Sequence, residues 1–61
     1  IWMERMRDLK IGDLVQHRNA LARKWGFGIV KAYRRHHGMY EVVWPDGEVR
    51  THTIEMLKQI A

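Results

Sequence analysis

Apolar and polar residues alternate along this chain in short runs, and no apolar run approaches the roughly 20 residues needed to span a bilayer as a helix. Leu14-Val15-Gln16-His17-Arg18, Ile29-Val30-Lys31-Ala32-Tyr33, Met39-Tyr40-Glu41-Val42-Val43-Trp44 and Glu48-Val49-Arg50-Thr51-His52 carry β-branched and aromatic residues at strand spacing. Turn signals set them apart. Gly12-Asp13 precedes the first run and Gly26-Phe27-Gly28 the second. A hairpin tip, Arg34-Arg35-His36-His37-Gly38, joins the second to the third, and Pro45-Asp46-Gly47 joins the third to the fourth. In the third run, alternation points Tyr40, Val42 and Trp44 inward and Glu41 outward. In the fourth it points Val49 and Thr51 inward and leaves Glu48, Arg50 and His52 to solvent. Asn19 to Trp25 has few strand formers and several bases, and reads as a long loop. The glycines flanking Phe27 suit a bulge or a sharp bend.

The two ends differ from this pattern. Thr53 to Leu57 is too short for an ordinary helix and fits one 3₁₀ turn, after which Lys58-Gln59-Ile60 can form a brief fifth strand. At the start, Trp2, Met6 and Leu9 stand at i, i+4 and i+7, an apolar stripe for a short helix that needs the domain or a second chain to pack against; a frayed arm is the alternative. The pattern predicts an all-β fold, a small five-stranded antiparallel barrel. Residues 10–61 form the barrel, residues 1–9 a helical or irregular arm, and a 3₁₀ turn precedes the last strand.

Composition limits how this fold is stabilised. With 61 residues and no cysteine, the chain has a small core and neither a disulfide framework nor a thiolate metal site, so self-association is one remaining source of stability. The composition, 46% hydrophobic and 30% charged, is that of a folded domain. With no signal-like apolar stretch at its start, the chain reads as cytoplasmic, in a host cytoplasm or a virion if viral, or as part of an assembly, with no membrane partner.

Charge adds the clearest functional signal. From Leu14 to Tyr40 there are six Lys/Arg, three of the four His and no acid, and the net charge of the whole chain is +4. A field of one sign attracts anionic partners, nucleic acid first and an acidic protein surface second. The expected contact residues are Lys31, Arg34, Arg35, His36 and His37 at the tip, with Arg23 and Lys24 from the preceding loop. Trp25 and Tyr33 are stacking platforms if exposed, core residues if not. Binding through this set requires the loop to fold toward the tip.

Catalytic and metal chemistry find little support. Asp13 and Asp46 are accounted for by turns and Glu41 by an outward strand position; there is no serine, and no glycine-rich loop precedes a proper helix. Adjacent His36 and His37 point to opposite faces of a strand, and no spaced ligand set appears, so no metal or cofactor is expected.

Gly12-Asp13-Leu14-Val15, Gly26-Phe27-Gly28-Ile29-Val30, Tyr40-Glu41-Val42-Val43-Trp44-Pro45-Asp46-Gly47 and Leu57-Lys58-Gln59-Ile60, in this order, resemble SH3-like and Tudor-like small barrels. The resemblance covers residues 10 to 60. It extends to short, uncharacterised SH3-like proteins of bacteriophages, in which a Gly-Asp-hydrophobic-Val opening, a Gly-Ile-Val strand and a Trp-x-Asp-Gly hairpin recur. It implies a binding module or structural subunit, since such barrels serve as nucleic-acid binders, peptide binders and assembly components. The plasmid-borne dihydrofolate reductase has a similar layout, but its Val-Gln-Ile-Tyr pore motif would fall at Val49-Arg50-Thr51-His52, where only the valine matches. The resemblance therefore implies a non-enzyme.

Overall fold

The computed structural model of the chain describes residues 9–61, so Trp2 and Met6 of the N-terminal stripe lie outside the described residues. Five strands form one antiparallel sheet: β1 (Leu14–His17), β2 (Phe27–Arg34), β3 (Met39–Val43), β4 (Val49–His52) and β5 (Leu57–Gln59). The spatial order is β4-β3-β2-β1-β5, with a three-residue 3₁₀ turn, Ile54–Met56, leading into β5 as expected. The ladder does not close, because β4 and β5 are its two edges. It is nevertheless strongly curled. In a flat sheet β1 would lie about 14 Å from β4, three strand spacings away. The His17 and His52 rings on these two strands sit 4.9 Å apart, so β1 and β4 face each other across the core.

The inner face carries the core. Val15, Val30, Tyr40, Val42, Trp44 and Leu57 form one buried cluster, against which Leu9, Trp25 and Ile54 pack. Tyr40, Val42 and Trp44 are inward as alternation requires. Gly28 lies one step beyond the Ile29–Val43 pair, beneath Trp44, and the absence of a side chain there lets the indole and Val42 pack onto the β2 backbone.

Three local expectations are corrected. Asn19 to Trp25 is not a loop: Ala20–Trp25 is a 3₁₀ helix, started by Asn19, whose side-chain oxygen accepts from Leu21 N at 2.8 Å. The irregularity in β2 is not at the glycines but at Lys31, where the register steps from Val30↔Val42 to Ala32↔Glu41. That extra residue reverses the alternation, so that Tyr33 comes round to pair with Tyr40 and their rings meet at a tilt of 39° with centroids 4.7 Å apart.

The third correction concerns β4, whose faces are opposite to the expected ones. His52 is buried and Arg50 half-buried, whereas Val49 and Thr51 are exposed. The cause is loop length. Trp44 N donates to Glu48 O and Gly47 N to Trp44 O, so the turn holds three residues, Pro45-Asp46-Gly47, with Gly47 in the left-handed region at φ 87°. Val43 then pairs with Val49, Val42 with Arg50 and Tyr40 with His52, and each residue shares the face of its partner. A two-residue turn would have shifted the pairing by one and turned Val49 inward.

Candidate nucleic-acid interface

β2 separates the expected basic residues into two groups. Arg23 and Lys24 lie in the last turn of the first 3₁₀ helix, just before β2 begins, whereas Arg34 to His37 lie at its other end. An eight-residue strand is about 25 Å long, so the two sets of cations do not meet on one rim.

At the tip, Arg35 to Gly38 form a four-residue turn in which His37 N donates to Arg34 O at 3.1 Å and Gly38 N to Arg35 O at 3.3 Å. Arg35, His36 and His37 are exposed on it. Arg34 is committed locally, its Nε donating to Glu41 Oε2 across the β2–β3 pair. Lys31 projects from the bulge and is exposed. Tyr33, near the same end of β2, is 49% exposed, its ring tilted 39° against that of Tyr40. The end of the β2–β3 hairpin thus combines Lys31 and Arg35, cations with no ion pair among the described residues, two imidazoles and one half-open aromatic ring, with Glu41 already neutralised by Arg34.

Trp25 has a different environment. It ends the first 3₁₀ helix, half-buried, and its ring lies 5.3 Å from both His17 and Trp44 and 5.8 Å from His52. The Arg50 guanidinium covers it at 4.3 Å from the ring centroid. Arg50 is fixed in turn by Asp46 of the turn, Nη2 to Oδ2 at 2.9 Å, while Asp46 Oδ1 accepts from Glu48 N at 2.9 Å. The Arg50 bond, then the Glu48 amide, holds the Asp46 carboxyl below its ordinary value. Trp25 is therefore a wall of the core, closed off by an arginine.

Behind it lie His17, Trp44 and His52, a cluster that sequence reasoning did not identify. Asn19 N donates to His17 Nδ1 at 3.0 Å, which places the proton of a neutral ring on Nε2. His17 was legible in principle, standing two residues after Val15 and so on the same face. His52 was not, because its orientation depends on the turn length. Burial first, then His17 and Arg50, hold the His52 imidazole below its ordinary value.

The outer face has its own pattern. Leu14 pairs with Ile29, Ile29 with Val43 and Val43 with Val49, and Ile60 N donates to Leu14 O at 2.8 Å. Ile60, Leu14, Ile29, Val43 and Val49 thus form a continuous apolar row across the sheet, with Ile60, Ile29 and Val49 exposed. Phe27 flanks it, exposed as well.

Among the described residues no group of three or more His, Cys, Asp or Glu could hold a metal ion, and no helix is long and apolar enough to cross a membrane. In comparisons with known proteins, no family model, no curated protein and no solved structure matches this chain.

Proposed function

We propose that this chain is a non-catalytic, SH3-like binding module of phage origin that contacts single-stranded nucleic acid through the end of its β2–β3 hairpin. The observation carrying this reading is Tyr33, a half-exposed ring that packs at a tilt against Tyr40 and stands in the chain between the exposed cations Lys31 and Arg35. A base stacks on such a ring whatever its identity, and the cations beside it meet the phosphates. Arg34 contributes less than its position suggests, because Glu41 already holds it.

Titrating a fluorescein-labelled single-stranded oligonucleotide, read by anisotropy, tests this. Binding is expected to weaken as salt rises, and Lys31→Glu with Arg35→Glu is expected to abolish it with little change in the thermal midpoint, since both side chains are exposed. Tyr33→Ala is expected to weaken binding about fivefold or more, the loss of one stacked base being about 1–3 kcal/mol. Wild-type protein that does not bind, or variants that bind as tightly as wild type, would overturn the reading.

The outer apolar row favours a second role, self-association. Turned about an axis parallel to the strands at β2, two copies would set Ile29 against Ile29 with Leu14 and Val43 flanking, a self-complementary contact from which the curl carries Ile60 and Val49 away. Light scattering is expected to give a mass that rises with concentration and falls to the monomer value in Ile29→Lys, a change on the outer face. A wild-type mass that stays monomeric at millimolar concentration removes this role.

A further inference from the structure

We propose that His17 and His52 form an acid-sensitive clasp that holds the sheet in its curl and releases the β4 edge when His52 is protonated. This goes beyond the binding role and depends on none of the hairpin-tip residues.

The geometry carries the argument. β1 and β4 are separated by two strands in the ladder, so no backbone hydrogen bond joins them; the ring contact at 4.9 Å, interplanar angle 79°, joins them directly. Both histidines are buried. β4 is paired on one side only, with β3, and His52 is its last residue. Detaching that edge breaks fewer ladder bonds than opening any inner strand.

Among the described residues no group around His52 can offset a new positive charge. From β1 comes His17, and Arg18 beside it is engaged with the Leu57 carbonyl. From β4 itself comes the Arg50 cation. The first 3₁₀ helix contributes the neutral Trp25 ring, whose face Arg50 already occupies, and its cations Arg23 and Lys24 are exposed. The β3 strand and the residue after it contribute Tyr40, a phenol that stays neutral in this range, and Trp44, edge-on to His52 with ring centroids 5.6 Å apart. The turn contributes Asp46, exposed and bound by Arg50; the second 3₁₀ turn contributes Glu55, also exposed. Protonation therefore puts a cation into apolar surroundings beside another cation.

The direction of the pH response follows. His52 is held below the ordinary histidine value of about 6.5 in the folded state, so between that value and the lower folded one the unfolded or opened state binds more protons. The stabilisation is complete above about pH 6.5 and is lost as pH falls through this window.

Two measurements test the clasp. In a histidine NMR titration of the native protein, His52 is expected to titrate below the ordinary histidine value of about 6.5. Over the same range amide exchange in β4, corrected for its intrinsic pH dependence, is expected to accelerate while that of the β1–β2 pair does not. The urea midpoint is expected to fall between pH 7.5 and pH 5.5 in wild type and in His36→Gln with His37→Gln, and to stay level in His52→Phe, which keeps an aromatic ring without the charge. A native His52 that titrates at or above the ordinary histidine value, β4 exchange that follows the rest of the sheet, or an undiminished pH dependence in a folded His52→Phe would overturn the proposal. Should that variant not fold, the native titration and exchange decide alone.

Discussion

Gly28→Ala is expected to leave the protein largely unfolded at 25 °C. A methyl group on this residue would stand 2.4 Å from Val42 Cγ1 and 2.9 Å from Trp44 Cε3, closer than side chains pack. Neither neighbour can retreat. Val42 and Trp44 are both essentially fully buried, and an indole ring has no flexible end to swing aside. Overpacking a core costs about 1–3 kcal/mol and more where nothing yields, while a single core of this size supplies only about 3–5 kcal/mol in all. The comparison variant is Gly12→Ala. Gly12 has a left-handed φ of 97° but open space around it, so its substitution brings backbone strain of about 1–2 kcal/mol and no clash. Urea unfolding followed by tryptophan fluorescence should rank wild type above Gly12→Ala and Gly12→Ala well above Gly28→Ala. Equal loss in the two variants would mean that backbone conformation, not contact with Trp44, sets the requirement for glycine at residue 28.

The contrast between these glycines shows which parts of the fold are legible in the sequence. Gly12 and Gly47 sit in turn signals, and Tyr40, Val42 and Trp44 alternate without interruption, so β3 and its flanking turn could be placed from local pattern alone. Gly28 could be read as a point of flexibility, but its packing role depends on which residue of β3 lies across from it. Lys31 illustrates the same limit. Nothing in Val30-Lys31-Ala32 marks a bulge, yet that one extra residue decides that Tyr33 joins Tyr40, and with it the stacking platform of the proposed interface. The Pro45-Asp46-Gly47 turn was legible but its pairing was not. Counting three loop residues rather than two turns Arg50 and His52 inward and builds the His17–Trp25–Trp44–His52 cluster. Asn19 ahead of Ala20-Leu21-Ala22 was a usable helix-start signal, outweighed by the lack of strand formers and the density of bases after it. The basic stretch is continuous in sequence but divided in space, because charge patterning carries no information about the length of the strand between its two halves.

Trp44 is the residue on which the two faces of this argument meet, and its replacements are expected to separate volume from polarity. It is 1% exposed, touches Trp25, His17 and His52, and lies over Gly28. Trp44→Ala removes the largest side chain of the core and is expected to cost about 3–5 kcal/mol, which abolishes the cooperative unfolding transition of so small a domain. Trp44→Phe is expected to behave differently. The indole Nε1 is buried without a hydrogen-bond partner among the described residues, so phenylalanine loses volume and ring contacts but also removes an unsatisfied donor. An unmet buried donor costs about 1–3 kcal/mol, comparable to the packing lost on shrinking the ring, and the net effect of Trp44→Phe is expected to stay within about 1.5 kcal/mol of wild type. Urea midpoints at pH 7.5, where His52 is neutral, provide the measurement. If Trp44→Phe proves as damaging as Trp44→Ala, the indole nitrogen is satisfied in solution and the cluster is held by that bond; if both variants are mild, the core does not depend on Trp44 and the predicted severity of Gly28→Ala fails with it.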